Sequence, residues 1–222
     1  MRRVLPCLAL ALLLVAVPAV AQRGGGEKAF VAGRVHAGEP LDVDLPGALH
    51  MKNIGSRVDG KGMCVFSSIE MAARWHGLDQ YIGIRDFAAK EPGGGWPEKV
   101  DRQLAAFCRS KSLPEPRYLQ YEGPDVEPVI AAALRTGRMA CVTYGFGERY
   151  IGARNPTGEI GHMVCLAKYS GQWAVVLDNN FPGESTYEWM SRTEAIRRVT
   201  LPRRSGWVFV WLEPPPPPSP RN

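Results

Sequence analysis

An α+β domain is what this chain of 222 residues predicts, and three features predict it. The first half carries apolar residues at three- and four-residue steps, the period of a helix with one buried face. The second half switches to short apolar runs rich in β-branched and aromatic residues, separated by turn residues. The two kinds of segment come as helices first and strands after, without alternation. That order predicts an N-terminal helical half packed on a C-terminal antiparallel sheet.

Taken in order, residues 1–21 stand outside the fold. Arg2 and Arg3 precede an apolar run from Leu8 to Val17, and Ala19-Val20-Ala21 is a small-residue cleavage pattern, which together predict a signal peptide. Neither this run nor any later one is long enough to span a bilayer. Cys7 precedes the apolar stretch, so cleavage leaves no lipid-anchored end. The expected product is exported and soluble, in a periplasm or outside the cell. Residues 22–49 form a flexible lead-in, with a short strand over 29–36, and irregular chain continues to Gly62.

The domain proper is expected over 50–212. Cys64 to His76 reads as a helix, with Ile69, Ala72, Ala73 and His76 on one face and Gly77 as its stop. Ile84 to Lys90 makes a turn or two more, broken by Pro92-Gly93-Gly94-Gly95. Pro97 opens the next helix, whose inner stripe is Val100, Leu104 and Phe107. Asp125 caps a helix running to Arg135 and ended by Gly137. Strands follow at Met139–Tyr144, His162–Tyr169, Trp173–Asn179 and Trp207–Leu212. Gly145 to Gly161 is a Gly-rich loop that lands on His162, long enough to border a cleft. Residues 213–222 are a disordered proline-rich tail that cannot join a sheet.

Charge and cysteines exclude several function classes. The formal charge is +5, and removing Arg2 and Arg3 leaves +3, partly gathered at Arg197-Arg198 and Arg203-Arg204. Without interleaved aromatics this is a solvated face and not a nucleic-acid surface. Cys64, Cys108, Cys141 and Cys165 are dispersed, with no Cys-x-x-Cys pair, so no structural zinc site is expected. Export allows one disulfide among the last three, although buried free thiols suit Cys108 and Cys141. Of six tryptophans, most belong in the core, and Trp96, between Gly95 and Pro97, is the one expected at the surface.

Cys64 is where chemistry becomes legible. It stands where a Gly-rich loop turns into a helix, and free N–H groups with the positive end of a helix dipole favour a thiolate there. A thiolate nucleophile needs a histidine and a group to orient it. His76 is twelve residues along the same helix, about 18 Å away. His36 and His50 lie in the lead-in without a supporting pattern. His162 opens a strand after Gly161, and the next strand ends in Asp178-Asn179-Asn180. A three-residue hairpin, Tyr169-Ser170-Gly171, pairs Lys168 with Gln172 and sets Asp178 opposite His162. A two-residue turn would bring Asn179 there instead, so Asn179 and Asn180 remain alternative orienting residues.

A cysteine opening a helix, a histidine opening a strand 98 residues later, and an aspartate 16 residues beyond that resemble the papain-like cysteine peptidases. The short Cys–His separation is similar to that of the compact bacterial branch that cleaves double-glycine leaders from bacteriocins. The resemblance covers roughly 50–212 and implies a thiol hydrolase acting on peptide bonds of a peptide or protein substrate, with no cofactor or metal. Cys64 would be its nucleophile, His162 its base and Asp178 its orienting residue. One position departs. The family carries a glutamine six residues before the nucleophile as an oxyanion donor, and here that residue is Val58. Asn53 is the substitute if Gly55 to Gly62 folds back, together with the Cys64 backbone N–H. The departure keeps a second expectation open, a catalytically inactive relative that binds peptides or a partner. Acyl transfer and cell-wall peptide cleavage use the same chemistry but usually with closer Cys–His spacing.

Overall fold

A computed structural model describes residues 49–182, 187–201 and 205–213. The signal peptide, the expected strand over 29–36, Arg203-Arg204 and the proline tail from 214 lie outside the described residues. Six strands form one antiparallel sheet in the order β1-β6-β2-β3-β4-β5. They are β1 (Tyr118–Gly123), β2 (Ala140–Phe146), β3 (Glu159–Ser170), β4 (Trp173–Leu177), β5 (Tyr187–Ser191) and β6 (Gly206–Trp211). The helices are α1 (Cys64–Trp75), α2 (Ile84–Ala88), α3 (Pro97–Ser110), α4 (Val126–Arg135) and α5 (Arg192–Thr200).

Helices cover both faces of this sheet. α1, α2 and α3 close a core with Met163, Cys165, Leu177 and Phe209, while α4 and α5 close a second with Val164, Leu166, Val176 and Val208. Neighbouring β3 residues therefore serve opposite cores, as a two-residue side-chain period requires. Ten consecutive residues of α1, Cys64 to Ala73, are buried, because the helix is pressed between the sheet and its two companions. Trp211 ties it to β6, its indole N–H donating to the Ile69 carbonyl at 3.0 Å.

The mixed α and antiparallel β character agrees with the sequence, but three details differ. First, the helices do not all precede the strands: β1 comes before α4, and α5 falls between β5 and β6. Ser191 caps α5 by accepting the Glu194 N–H at 3.1 Å, and Ser-x-x-Glu is a capping-box signature readable in the sequence. Second, only one residue of the basic pair on α5 is solvated: Arg197 is exposed and Arg198 is not. Arg198 is only 4% exposed and binds Glu188, Glu194 and the Tyr144 hydroxyl. Third, Gly145 to Gly161 is not one loop: β2 extends to Phe146, a 3-10 turn spans Glu148–Tyr150, and β3 begins at Glu159.

All four described cysteines are free, with the Cys141 and Cys165 sulfurs 3.9 Å apart across β2 and β3. Trp96 is 46% exposed while Trp211 is fully enclosed.

His76 ends α1 and is buried, its Nε2 accepting the Met139 N–H at 3.1 Å. Burial, with Arg138 adding repulsion, lowers its pKa to about 4. The folded state thus resists a proton that the unfolded chain accepts near pH 6.5. Stability from this site is complete above that value and is lost as pH falls toward 4, by roughly 3 kcal/mol. Urea titrations from pH 7 to 4 should show this loss, and His76→Gln, which keeps an acceptor for Met139, should flatten it. An equally steep acid limb in the variant would contradict the assignment.

Candidate active site

The thiol is placed by how α1 starts. Met63 is its N-cap, Cys64 its first helical residue, and the first-turn N–H groups there have no intrahelical acceptor. A buried amide then pins this helix start to β3. The Asn179 side-chain nitrogen lies 2.9 Å from Ser68 Oγ, 2.9 Å from the Met163 carbonyl and 3.2 Å from the Cys64 carbonyl. Ser68 itself donates to the Met163 carbonyl at 3.0 Å.

His162 precedes Met163 on β3, so the same staple brings its imidazole to the thiol. The two side chains line one cleft of about 620 Å³. Cys64 acts on the ring both as a hydrogen-bond partner and as a negative charge. On its other side the ring places Nε2 2.7 Å from Asp178 Oδ1. Exposure falls along this row, from 9% for Cys64 through 7% for His162 to 1% for Asp178.

The hairpin register that pointed to Asp178 is not the one observed. Ser170 pairs with Trp173 around a two-residue turn, and an irregularity between Leu166 and Lys168 then shifts the pairing so that Cys165 faces Leu177. β4 stops at Leu177, and Asp178 reaches His162 diagonally from just beyond the strand end. Of the two alternatives, Asn179 is the staple described above. Asn180 accepts from Asn53 Nδ2 at 2.9 Å and donates to the Tyr150 hydroxyl at 2.9 Å. Neither is the carboxylate's rival at the ring.

Burial and charge set the protonation of the pair. Burial disfavours a charged His162, but the Asp178 hydrogen bond and the Cys64 hydrogen bond and charge outweigh it, and its pKa is raised to about 9. Asp178 is held below its ordinary value although burial pushes it up: His162, the Asn180 N–H at 2.9 Å and the Tyr150 hydroxyl at 2.8 Å all favour the carboxylate. His50, which no sequence pattern supported, donates from Nε2 to the Asp178 main-chain carbonyl at 2.8 Å. The Asn53 N–H donates to the Asn179 carbonyl at 2.7 Å. This short segment thus lies against the turn that carries the carboxylate.

The expected oxyanion role for Asn53 is corrected by this geometry. Its amide nitrogen is engaged by Asn180, and the residue does not line the cleft. Val58 is 60% exposed. The Cys64 N–H at the helix start remains as a donor.

Glycine shapes the cleft walls. A Cβ on Gly95 would sit 2.4 Å from the Val65 Cβ, so only glycine lets the 92–96 loop press against α1. The buried Lys99 ammonium holds this loop through the Pro92 and Gly93 carbonyls at 2.8 and 2.9 Å. A Cβ on Gly161 would meet nothing within 4 Å; the space beside His162 is open. Among the described residues no group of three or more His, Cys, Asp or Glu could hold a metal, and no helix is long and apolar enough to cross a membrane. No protein-family model, curated protein or solved structure matches this chain.

Because Cys64 helps to hold His162 charged, Cys64→Ala should move the ring's titration below about 9. A pH series of imidazole NMR shifts measures this. A midpoint that does not move would mean that thiol and ring do not interact.

Proposed function

We propose that this protein is a papain-like cysteine hydrolase that cleaves peptide or related amide bonds in an exported compartment. The carrying observation is the row of three groups in one cleft: a thiol at a helix start, an imidazole beside it, and a buried carboxylate 2.7 Å from the far ring nitrogen. Such a row can keep a thiolate and an imidazolium side by side. The Cys64 sulfur adds to the scissile carbonyl carbon, and the oxygen takes the negative charge near the helix-start N–H. As the carbon–nitrogen bond breaks, the imidazolium gives its proton to the departing amine and a thioester remains. Water then attacks that thioester, losing its proton to His162, and the carboxylic acid product leaves with the thiol restored. Asp178 holds the ring orientation throughout, as the carboxylate does in other triads.

A second reading has one observation in its favour. With Val58 in the donor position and Asn53 turned to Asn180, the cleft has no side-chain amide for an oxyanion among the described residues. Such a donor contributes roughly 3 kcal/mol to the barrier. A protein lacking it is a slow enzyme or a module that binds peptides without cutting them. Acyl transfer and cell-wall peptide cleavage would use the same three residues with another acceptor or substrate.

Iodoacetamide separates the first two readings. An imidazolium-paired thiolate is alkylated at mildly acidic pH, whereas an ordinary thiol reacts only as pH approaches about 8.5. Labelling at pH 6 should therefore occur in the wild type, and Cys64→Ala should lose it together with any hydrolysis of a peptide library. Unchanged labelling in that variant would end the hydrolase reading.

The open space at Gly161 supplies a further check. Gly161→Val should leave folding and iodoacetamide labelling nearly intact but lower peptide hydrolysis by roughly tenfold or more, because a bulky substrate would be displaced from the sulfur. Undiminished hydrolysis would show that substrate does not pass over this residue.

A further inference from the structure

The hydrogen bonds around Asp178 extend past the three groups assigned above, into the segment between β2 and β3. Tyr150 closes the Glu148–Tyr150 turn and donates its hydroxyl to Asp178 Oδ2 at 2.8 Å. The phenol oxygen in turn accepts the Asn180 side-chain N–H at 2.9 Å, and the Asn180 side-chain oxygen accepts from Asn53 Nδ2 at 2.9 Å. The phenol ring lies edge-on to the His162 ring at 5.9 Å and to Phe181 at 5.2 Å. One side chain thus touches both the carboxylate and the imidazole that it serves.

We propose that Tyr150 is a positioning residue: its hydroxyl clamps the Asp178 oxygen that His162 does not use, and so fixes both the direction of the carboxylate and the negative charge it offers the ring. The inference rests on the assignment of Asp178 as the orienting group.

The hydroxyl acts in two ways. A carboxylate held by only one oxygen can swing about its last bond, and the hydroxyl removes that freedom by holding the other. A donated O–H also withdraws charge from the carboxylate, so less negative charge faces the imidazole. Burial and the Asp178 charge hold the Tyr150 proton far above its ordinary value, so the phenol stays a donor. Asn180 polarises that O–H by donating to its oxygen. Asn53, at the far end of the row, thereby gains a role other than oxyanion binding.

Other groups near this cluster belong to different elements. Among the described residues, Cys64 faces His162 from α1, and Tyr144 on β2 pairs with His162 and acts on Tyr150. His50 meets the Asp178 main chain from the lead segment, and Arg149 acts on His50.

The test compares the His162 titration, read by NMR, in Cys64→Ala and in Cys64→Ala with Tyr150→Phe. Neither protein needs activity, so failure of the hydrolase assignment leaves this result readable. Phenylalanine keeps the ring contacts with His162 and Phe181 and deletes only the hydroxyl. With the clamp gone the carboxylate presents more charge, and the His162 midpoint should rise by about half a unit. Asn180→Ala, which keeps its backbone N–H to Asp178, should move it the same way by less, and it carries the test if the tyrosine variant does not fold. A midpoint that stays or falls in folded protein overturns the proposal, because a merely structural tyrosine would change melting temperature alone.

Discussion

The docking of the α1 start onto β3 is the constraint from which the site follows. The Asn179 amide meets the Cys64 carbonyl, Ser68 and the Met163 carbonyl at one buried point, and Cys64 and His162 are each at or beside these anchors. Each buried hydrogen bond of this kind contributes roughly 1 kcal/mol. The thiol and the imidazole are therefore held by the same interaction that joins helix to sheet. A change that loosens this point would loosen the chemistry with it, even if it left all three reacting groups in place.

Around that junction the polar groups form a graded row, from a cleft-lining thiol to a carboxylate that is 1% exposed. Burial alone would neutralise Asp178 and His162. Each stays charged because the other is beside it, and because an N–H and a hydroxyl complete the carboxylate's bonding. The glycines do the complementary work. Gly95 allows backbone to approach α1 where any side chain would collide, and Gly161, which lines the cleft, leaves open space there.

How much of this could be read from sequence depends on the range of the interaction. Cys64 and His162 were legible because each lies just after glycine near the start of an element, a local signal. Asp178 was found through a hairpin register that the structure replaces: a two-residue turn and a shift near Ala167 bring it to the ring by a diagonal route. Tyr150, His50 and the true partners of Asn53 depend on contacts more than a hundred residues apart, or on a turn without periodicity, and no local pattern marks them. β1 and β5 were missed because each is short, and polar residues such as Gln120, Glu122 and Glu188 interrupt them. α5 did carry a legible start in Ser191 and Glu194, a capping pair just ahead of its basic pair.

If this protein is the thiol hydrolase we propose, the Cys64 sulfur carries its charge because His162 carries the proton. The most direct measurement is the ultraviolet absorption of the thiolate as a function of pH, taken as the difference between wild type and Cys64→Ala and repeated with His162→Ala. The account predicts a thiolate signal already present near pH 6 in the wild type, and its displacement toward about 8.5, the ordinary thiol value, without the imidazole. A signal that first emerges near that ordinary value in both proteins would contradict it.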